Sequence, residues 1–262
     1  MADMEVGFQR SEMNSEPLAG TMKPLEKHLF LTWGLATAWP EDPFDKTHAG
    51  TLPVDLDQAL GKAKKEIKSK LRLTLVEREA GMEDGHVMLY PDGVQFDLGA
   101  DGAKTQELVK YLKGEVSKGL RARDIEDATV FVCAHLQRDA RCGHCGPELS
   151  KAAQSLVATG QVPKLNIRRC SHVGGHKYAG NVIVYGGDYG GHWYGYVTPQ
   201  NLRRVLQGLE VKGRLWRGQV GLTEKEAMAQ RRKQVLMDYL PAALTLALVA
   251  GVAYTWLRDR KR

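Results

Sequence analysis

The spacing of apolar and polar residues predicts a regular series of short elements in the first half of the chain. Apolar residues recur at helical intervals between Leu56 and Ile67, whereas residues 71–76 alternate as a half-buried strand does. Two apolar runs flank Pro91-Asp92-Gly93, whose composition is typical of a hairpin turn. The predicted order is strand, helix, strand, hairpin and helix, over residues 28–33, 55–70, 71–76, 86–98 and 108–112.

The apolar pattern in the second half of the chain predicts the same order of elements again. Its strand, helix, strand, hairpin and helix are predicted over residues 129–133, 147–157, 165–168, 181–197 and 199–209. This order is that of a thioredoxin-like unit, so the pattern predicts an α/β chain of two tandem thioredoxin-like units. We expect a degenerate unit without ligands at 27–120 and a ligand-bearing unit at 121–220. Such a duplication would make the chain a pseudo-dimer of its own halves.

A 19-residue segment without charge, residues 239–257, lies near the C-terminus. Its length is close to the roughly 20 residues that a helix needs to cross a bilayer, and basic runs at 231–233 and 258–262 flank it. We therefore expect a basic linker helix at 221–238 and a transmembrane tail anchor at 239–257. A buried C-terminal core helix is the alternative. The anchor would hold the globular part in the cytosol, on a mitochondrial or plastid outer membrane.

Composition and charge limit the partners and the cellular compartment that we expect for this chain. The 262 residues carry a net charge of +6, much of it in the two basic runs, so no nucleic-acid partner is expected. Residues 1–26 contain no apolar run and are predicted to be a disordered N-terminus, neither a signal nor a transit peptide. In a reducing compartment, the four cysteines are expected to be ligands or redox thiols rather than disulfides.

Candidate metal ligands follow in a C-x8-C…H-x3-H pattern formed by Cys133, Cys142, His172 and His176. Two thiolates and two imidazoles can close a tetrahedral zinc site or bind a [2Fe–2S] cluster. Cys133 ends a predicted strand, and Cys142 precedes a predicted helix, where the helix dipole and neighbouring arginines favour a thiolate. The two glycines between the histidines predict a loop that brings both imidazoles to one site.

Three other interpretations of the cysteines stay open at this point. Cys142 and Cys145 form a C-G-H-C sequence, which is typical of a thiol–disulfide oxidoreductase. The same two cysteines with the histidine pair could form a zinc site that stabilises an interaction module. The cysteines could also be plain reduced residues. The first interpretation leaves Cys133 and both histidines unexplained, and the second leaves Cys133 unused.

Four segments carry a resemblance to a known family: RDARCGHCGP at 138–147, CSHVGGHKYAGNVIVY at 170–185, WYGYVTPQN at 193–201, and LWRGQ at 215–219. Over residues 27–220 the chain resembles the sucrase/ferredoxin-like family. The name of the family does not imply a glycosidase here, because the sequence shows no pair of carboxylates flanked as such an enzyme would need. The resemblance implies a thioredoxin-like ferredoxin with a [2Fe–2S] cluster on Cys133, Cys142, His172 and His176. Ordinary thioredoxin-like ferredoxins use four cysteines, so the histidine pair is a departure.

The expected function is therefore one-electron transfer rather than catalysis on a substrate of its own. Each histidine ligand would keep one ring nitrogen free for a proton, so electron uptake is expected to couple to proton uptake. A redox partner is expected, with a flavin reductase as the natural electron donor. Five further residues are candidates for tuning the charge, docking the partner or alternative redox chemistry: Arg138, Asp139, Lys177, Cys145 and Cys170.

Overall fold

The computed structural model of the protein describes residues 6–13 and 15–259. Within these residues, five α-helices accompany ten strands. The helices are α1 (Leu52–Ala63), α2 (Thr105–Lys113), α3 (Ala140–Ala158), α4 (Pro199–Leu206) and α5 (Glu224–Asp259). The strands are β1 (Lys27–Thr32), β2 (Leu71–Val76), β3 (His86–Tyr90), β4 (Val94–Asp97), β5 (Arg123–Asp124), β6 (Thr129–Cys133), β7 (Asn166–Cys170), β8 (Val182–Tyr185), β9 (His192–Tyr194) and β10 (Trp216–Gln219).

All ten of these strands belong to one mixed sheet, in the order β10-β9-β8-β6-β7-β2-β1-β3-β4-β5. Each half of the chain contributes a parallel pair, β1 with β2 and β6 with β7, and adds an antiparallel hairpin beside it. The halves join where β2 and β7 pair antiparallel at Val76 and Cys170. Hydrogen bonds from Glu77 N to Arg169 O and from Ser171 N to Leu75 O extend this joint.

The predicted fold class of two tandem thioredoxin-like units is therefore wrong, because the halves share one continuous sheet. The physical reason lies in β2 and β7, which would each present unpaired N–H and C=O groups at the edge of a separate sheet. Pairing β2 with β7 satisfies these groups. The joint is between strands far apart in the chain, so the local apolar pattern of either half does not predict it.

The second correction concerns residues 239–257, which lie in α5. A bilayer span needs about 20 consecutive apolar residues. Across the described part of the chain, no helix is both long and apolar enough to span a membrane. The length of α5 comes partly from a charged first half that includes Arg231, Arg232 and Lys233. The predicted transmembrane helix and tail anchor are therefore wrong.

Some of the predicted terminal features lie outside the described residues. These are residues 1–5 and 14 of the predicted disordered segment 1–26 and residues 260–262 of the last basic run. The described N-terminal residues lie against the second half of the chain. Arg10, Leu18 and Met22 are buried, and the backbone N–H of Gly20 donates to Arg217 O of β10 at 2.8 Å.

The two halves of the sheet pack face to face. The rings of Phe30 on β1 and Phe131 on β6 stack with centroids 3.7 Å apart, and Tyr90 stacks on Tyr185 at 4.3 Å. In a flat sheet β1 and β6 would be three strand spacings apart, about 14 Å. The sheet must therefore bend at the β2–β7 joint, and the aromatic rings fill the space between its halves.

Polar groups inside this aromatic layer are paired across it. His28 contacts Tyr185 Oη through Nδ1 at 2.9 Å and Thr74 Oγ1 through Nε2 at 2.8 Å. Burial lowers the pKa of His28 well below its ordinary value. Tyr90 Oη donates to Thr129 Oγ1 at 3.0 Å. Satisfied polar groups avoid the desolvation cost of burial and fix how the two halves meet.

Helices cover the outer faces of the bent sheet, and α3 approaches its strand unusually closely. A Cβ atom added at Gly146 would lie 2.5 Å from both Ala134 Cα and Cys133 O. A Cβ atom at Gly143 would lie 2.7 Å from Leu136 Cα. The glycines of the C-G-H-C-G sequence thus let the start of α3 pack directly against the end of β6.

Replacement of Phe131 by alanine is expected to lower the free energy of unfolding by about 3–5 kcal/mol, because it opens a cavity in the layer that joins the halves. Denaturant unfolding of the purified protein measures this change. The control is Val116→Ala, since Val116 is 81% exposed and surface changes stay within about 0.5 kcal/mol. Equal effects of the two substitutions would contradict the packing described.

Replacement of Gly146 by alanine is expected to lower the free energy of unfolding by about 1–3 kcal/mol through overpacking of α3 on β6. Gly61→Ala in α1 is the matched control, because a Cβ at Gly61 meets no atom within 4 Å. That control is expected to stabilise the protein by about 0.5–1 kcal/mol, the usual gain for Gly→Ala in a helix. Thermal unfolding of both variants gives the comparison, and a stabilising Gly146→Ala would show that α3 does not approach β6 so closely.

Candidate metal site

Three of the four predicted ligands meet at the carboxyl end of the parallel strands β6 and β7. Cys133 is the last residue of β6, Cys142 lies in the first turn of α3, and His172 follows β7 by two residues. Their ligand atoms all lie within 4.8 Å of one another. Cys142 Sγ is 3.8 Å from His172 Nδ1. The structure therefore contains a Cys/His group that could hold a metal ion.

The start of α3 places Cys142 in this group. Asp139 caps the helix, and its Oδ1 accepts a hydrogen bond from the backbone N–H of Arg141 at 3.0 Å. The Arg141 guanidinium donates to both carboxylate oxygens of Asp139. Burial raises the pKa of Asp139, but the bonds from Arg141 outweigh it and hold that pKa below its usual value. The helix therefore begins two residues before Cys142. The sulfur of Cys142 faces the end of β6.

The loop between the two histidines requires its glycines. Gly174 and Gly175 have φ angles of +86° and +71°, in the left-handed region that side chains with a Cβ rarely adopt. A Cβ at Gly175 would also lie 2.8 Å from the ring of Tyr178. His176 then opens a short 3₁₀ turn. The predicted loop is thus present, and its bend depends on both glycines.

His176 is placed less closely than the other three candidate ligands. Its ring lies nearly parallel to that of His172, with centroids 6.2 Å apart, and the residue is exposed. It does not belong to the group of three whose ligand atoms lie within 4.8 Å. Its assignment as a ligand stays a prediction.

The two thiols of the site shift each other's pKa in opposite directions. A hydrogen bond from Cys142, with a further contribution from His172, lowers the pKa of Cys133 well below its ordinary value. The hydrogen bond to Cys133 and burial raise the pKa of Cys142. These directions favour the thiolate form at Cys133, and a thiolate is the form that binds metal.

Two residues that were not predicted hold the backbone of His172. Arg72 comes from β2 in the first half of the chain, and His135 comes from the loop between β6 and α3. The backbone N–H of His172 donates to His135 Nδ1 at 3.3 Å, and His135 Nε2 donates to the carbonyl of Pro40 at 2.8 Å. Burial lowers the pKa of His135, which keeps the ring neutral. Arg72 Nη2 donates to the carbonyl of His172 at 3.2 Å.

The remaining cysteines lie on either side of this site. Cys170 is beside Cys133 in the register of β7 and β6, and burial raises its pKa. Cys145 is on α3, and its Sγ lies 3.6 Å from both Arg10 Nη1 and the carbonyl of Val6. Both thiols are buried, and neither belongs to the group of three ligands.

The predicted charged candidates lie around the site in ion pairs. Arg138 is 3.7 Å from Glu41, on a cleft of about 260 Å³ that also reaches His135 and His172. Lys177 lies 2.7 Å from Glu16 in an exposed pair. Whether these residues tune the charge of the site or dock a partner stays a prediction.

Arg72, His135 and Arg217 were not predicted from the sequence as residues of the site. Arg217 is buried and donates through Nη1 to Gly174 O at 3.3 Å and to Asn181 Oδ1. Burial lowers its pKa to about 10. Arg217 lies within the LWRGQ segment, where an arginine among apolar residues is a signal of a buried, paired cation. Arg72 carries no such signal, because it alternates with apolar residues as a solvent-facing strand residue does.

Comparisons with known proteins show which family the chain resembles. A sequence model of the family described as sucrase/ferredoxin-like matches residues 18–220. Altered inheritance of mitochondria protein 32 of Meyerozyma guilliermondii is 27% identical over 237 residues, 78% of this chain and 81% of that protein. The proteins of the same name from Clavispora lusitaniae and Saccharomyces cerevisiae are 37% identical over 94 residues and 34% identical over 135 residues.

The last two matches cover 34% and 44% of this chain, and 34% and 42% of those relatives. No solved structure matches the chain. The family match spans most of the described residues and includes all four predicted ligands. The resemblance inferred from the sequence is therefore confirmed: the chain belongs to the sucrase/ferredoxin-like family.

Proposed function

We propose that this protein is a one-electron carrier that holds a [2Fe–2S] cluster on Cys133, Cys142, His172 and His176. The observation that carries the proposal is the meeting of two buried thiols and an imidazole at one edge of the sheet. Membership of a ferredoxin-like family supports a redox role for this group.

The donor set suits such a cluster. Thiolates hold iron–sulfur clusters, and two imidazoles replace two thiolates on one iron of Rieske centres. Cys133 and Cys142 are buried, as ligands in a site shielded from water are. Burial lowers the pKa of the Arg72 guanidinium, and the nearby Cys133 partly opposes this shift. This cation offsets the negative charge that two thiolates bring.

Each residue of the site then has a defined task. Cys133 and Cys142 would lose their thiol protons and bind as thiolates. His135 and Arg72 hold the backbone of His172 from its N–H and its C=O. The bound cluster supplies a one-electron change whose potential the ligands set. His172 and His176 would each keep a ring nitrogen for a proton, so electron and proton uptake are coupled.

A single zinc ion in an interaction module is the second candidate, and one distance favours it. Zn–S and Zn–N bonds of about 2.3 and 2.0 Å in a tetrahedron separate sulfur and nitrogen ligands by about 3.5 Å. The 3.8 Å between Cys142 Sγ and His172 Nδ1 is near this value. Unlike the zinc site expected from the C-x2-C spacing, this one uses Cys133 rather than Cys145.

The C-G-H-C oxidoreductase has less support. Thiol–disulfide exchange needs an accessible attacking thiolate. Cys142 and Cys145 are both fully buried, and the hydrogen bond to Cys133 raises the pKa of Cys142. These features slow attack by Cys142 on an external disulfide.

We also propose that the chain is a pseudo-dimer of its halves and that a flavin reductase supplies its electrons. Equivalent residues meet across the aromatic layer, Phe30 with Phe131 and Tyr90 with Tyr185, which supports an internal duplication. The name of the relatives refers to the inheritance of mitochondria, which supports an association of this protein with that organelle.

Protein purified without oxygen is expected to be red-brown and to contain about two irons and two sulfides per chain. Cys142→Ser is expected to lose the iron, because Cys142 is a ligand. Cys145→Ser is the matched control and is expected to keep it. Iron, sulfide and zinc analyses with absorption spectra measure both variants. A colourless protein with one zinc would favour the second candidate, and a metal-free protein would contradict both.

The midpoint potential is expected to become more negative as pH rises, by about 59 mV per pH unit for each proton that accompanies the electron. The physical reason is that a proton on a free imidazole nitrogen stabilises the added electron. Spectroelectrochemistry between about pH 6 and 9 measures the slope. His86→Asn, in β3 of the first half, is the control and should leave the slope unchanged. A potential independent of pH would contradict the coupling.

A further inference from the structure

The loop that carries His176 is held near both ends by buried arginines from other parts of the chain. At its start, Arg217 Nη1 of β10 donates to Gly174 O at 3.3 Å. At its end, Arg10 Nη2 donates to Ala179 O at 2.9 Å. Residues 174–179 thus have a guanidinium group at each end, and His176 lies between them. Arg217 approaches from the sheet, whereas Arg10 comes from the segment before β1.

Arg10 also contacts the helix that carries Cys142. Its Nη1 donates to Cys145 Sγ at 3.6 Å, one turn along α3 from Cys142. Its Nε donates to Glu12 Oε1 at 3.0 Å, and the same carboxylate lies 3.8 Å from Arg141 Nη1. One buried guanidinium therefore connects the histidine loop to both the body and the start of α3.

The rest of the N-terminal segment contacts the histidine loop and β10. Glu16 accepts a hydrogen bond from Tyr178 Oη at 2.7 Å and pairs with Lys177. The hydroxyl of Thr21 accepts a hydrogen bond from Arg217 Nε at 3.1 Å, and its carbonyl accepts one from Arg217 Nη2 at 3.1 Å. Contacts at residues 10, 12, 16 and 21 hold this segment across the loop.

Burial makes Arg10 the strongest of these connections. Its side chain has no exposed surface, whereas Glu16 and Lys177 are about half exposed, and exposed ion pairs contribute little to stability. A buried guanidinium is tolerated only where its N–H groups are paired. Arg10 donates to the backbone carbonyls of Gly7, Val6 and Ala179 besides Glu12 and Cys145. Its loss would leave Ala179 O without this donor.

We propose that Arg10 is a positioning residue of the metal site, which fixes the loop of His176 against the helix of Cys142. The proposal rests on the function proposed above, in which these two residues are ligands. Arg10 itself touches no metal. It acts by restricting how far the imidazole of His176 can move from the thiols before metal arrives.

The test compares Arg10→Met and Arg10→Lys with the unaltered full-length protein. Methionine removes every donor at similar length, whereas lysine keeps the charge but lacks the planar fork that reaches two partners. Arg78→Met is the matched control, because Arg78 forms an exposed pair with Asp84 in the first half. Hydrogen exchange of the metal-free proteins is measured over residues 139–146, 174–179 and, as an internal reference, 86–97.

Arg10→Met is expected to lose protection over 139–146 and 174–179 while residues 86–97 keep theirs, with Arg10→Lys intermediate and Arg78→Met unchanged. In protein carrying its metal, Arg10→Met is expected to retain metal at least about tenfold less strongly against ethylenediaminetetraacetate, as supporting contacts of ligands usually do.

Unchanged exchange in the loop of Arg10→Met would overturn the proposal, as would equal losses in all three regions, which would show only general stabilisation. If Arg10→Met does not fold, Arg10→Lys is judged by the same criteria, and failure of both to fold also counts against a positioning role. A protein that binds no metal would refute the proposed function alone, because the exchange comparison is made without metal.

Discussion

The antiparallel pairing of β2 with β7 is the constraint on which the rest of the structure depends. It joins the halves into one sheet, and the bend at this joint brings the aromatic rings of the halves together. The joint also lies at the candidate metal site, because Cys170 pairs with Val76 on one side and with Cys133 on the other. The site is therefore built at the boundary between the halves rather than inside one of them.

The half without ligands thus supports the site directly. Arg72 of β2 holds the carbonyl of His172, and the carbonyl of Pro40 accepts a hydrogen bond from the ring that holds the N–H of His172. Trp39 packs edge-on against the same ring, with centroids 5.7 Å apart. The first half supplies none of the candidate ligands, yet it holds the backbone of His172 in place.

Local elements were predictable from the sequence to different degrees. The strand at 129–133 agrees with β6, because a short run of β-branched and aromatic residues has few alternatives. The helix predicted at 147–157 begins instead at Ala140, since the capping of Asp139 outweighs the glycines and Pro147 that indicated a later start. The joint of β2 with β7 and the contacts of Arg10 and Arg72 depend on residues distant in the chain. No local pattern reports such contacts, whereas the spacing of Cys133, Cys142 and His172 reflects ligand chemistry and could be recognised.

The β2–β7 joint also sets an order of events during synthesis of the chain. Residues 27–113 contain the strands, hairpin and helices of the first half, and they leave the ribosome before β7 is made. Contacts between distant residues form late, because the entropy of closing a long loop must be offset first. Until β7 arrives, β2 is an unpaired edge strand, and such edges invite association with other chains. The stage between completion of β2 and arrival of β7 is therefore when a chaperone would be most useful to this protein.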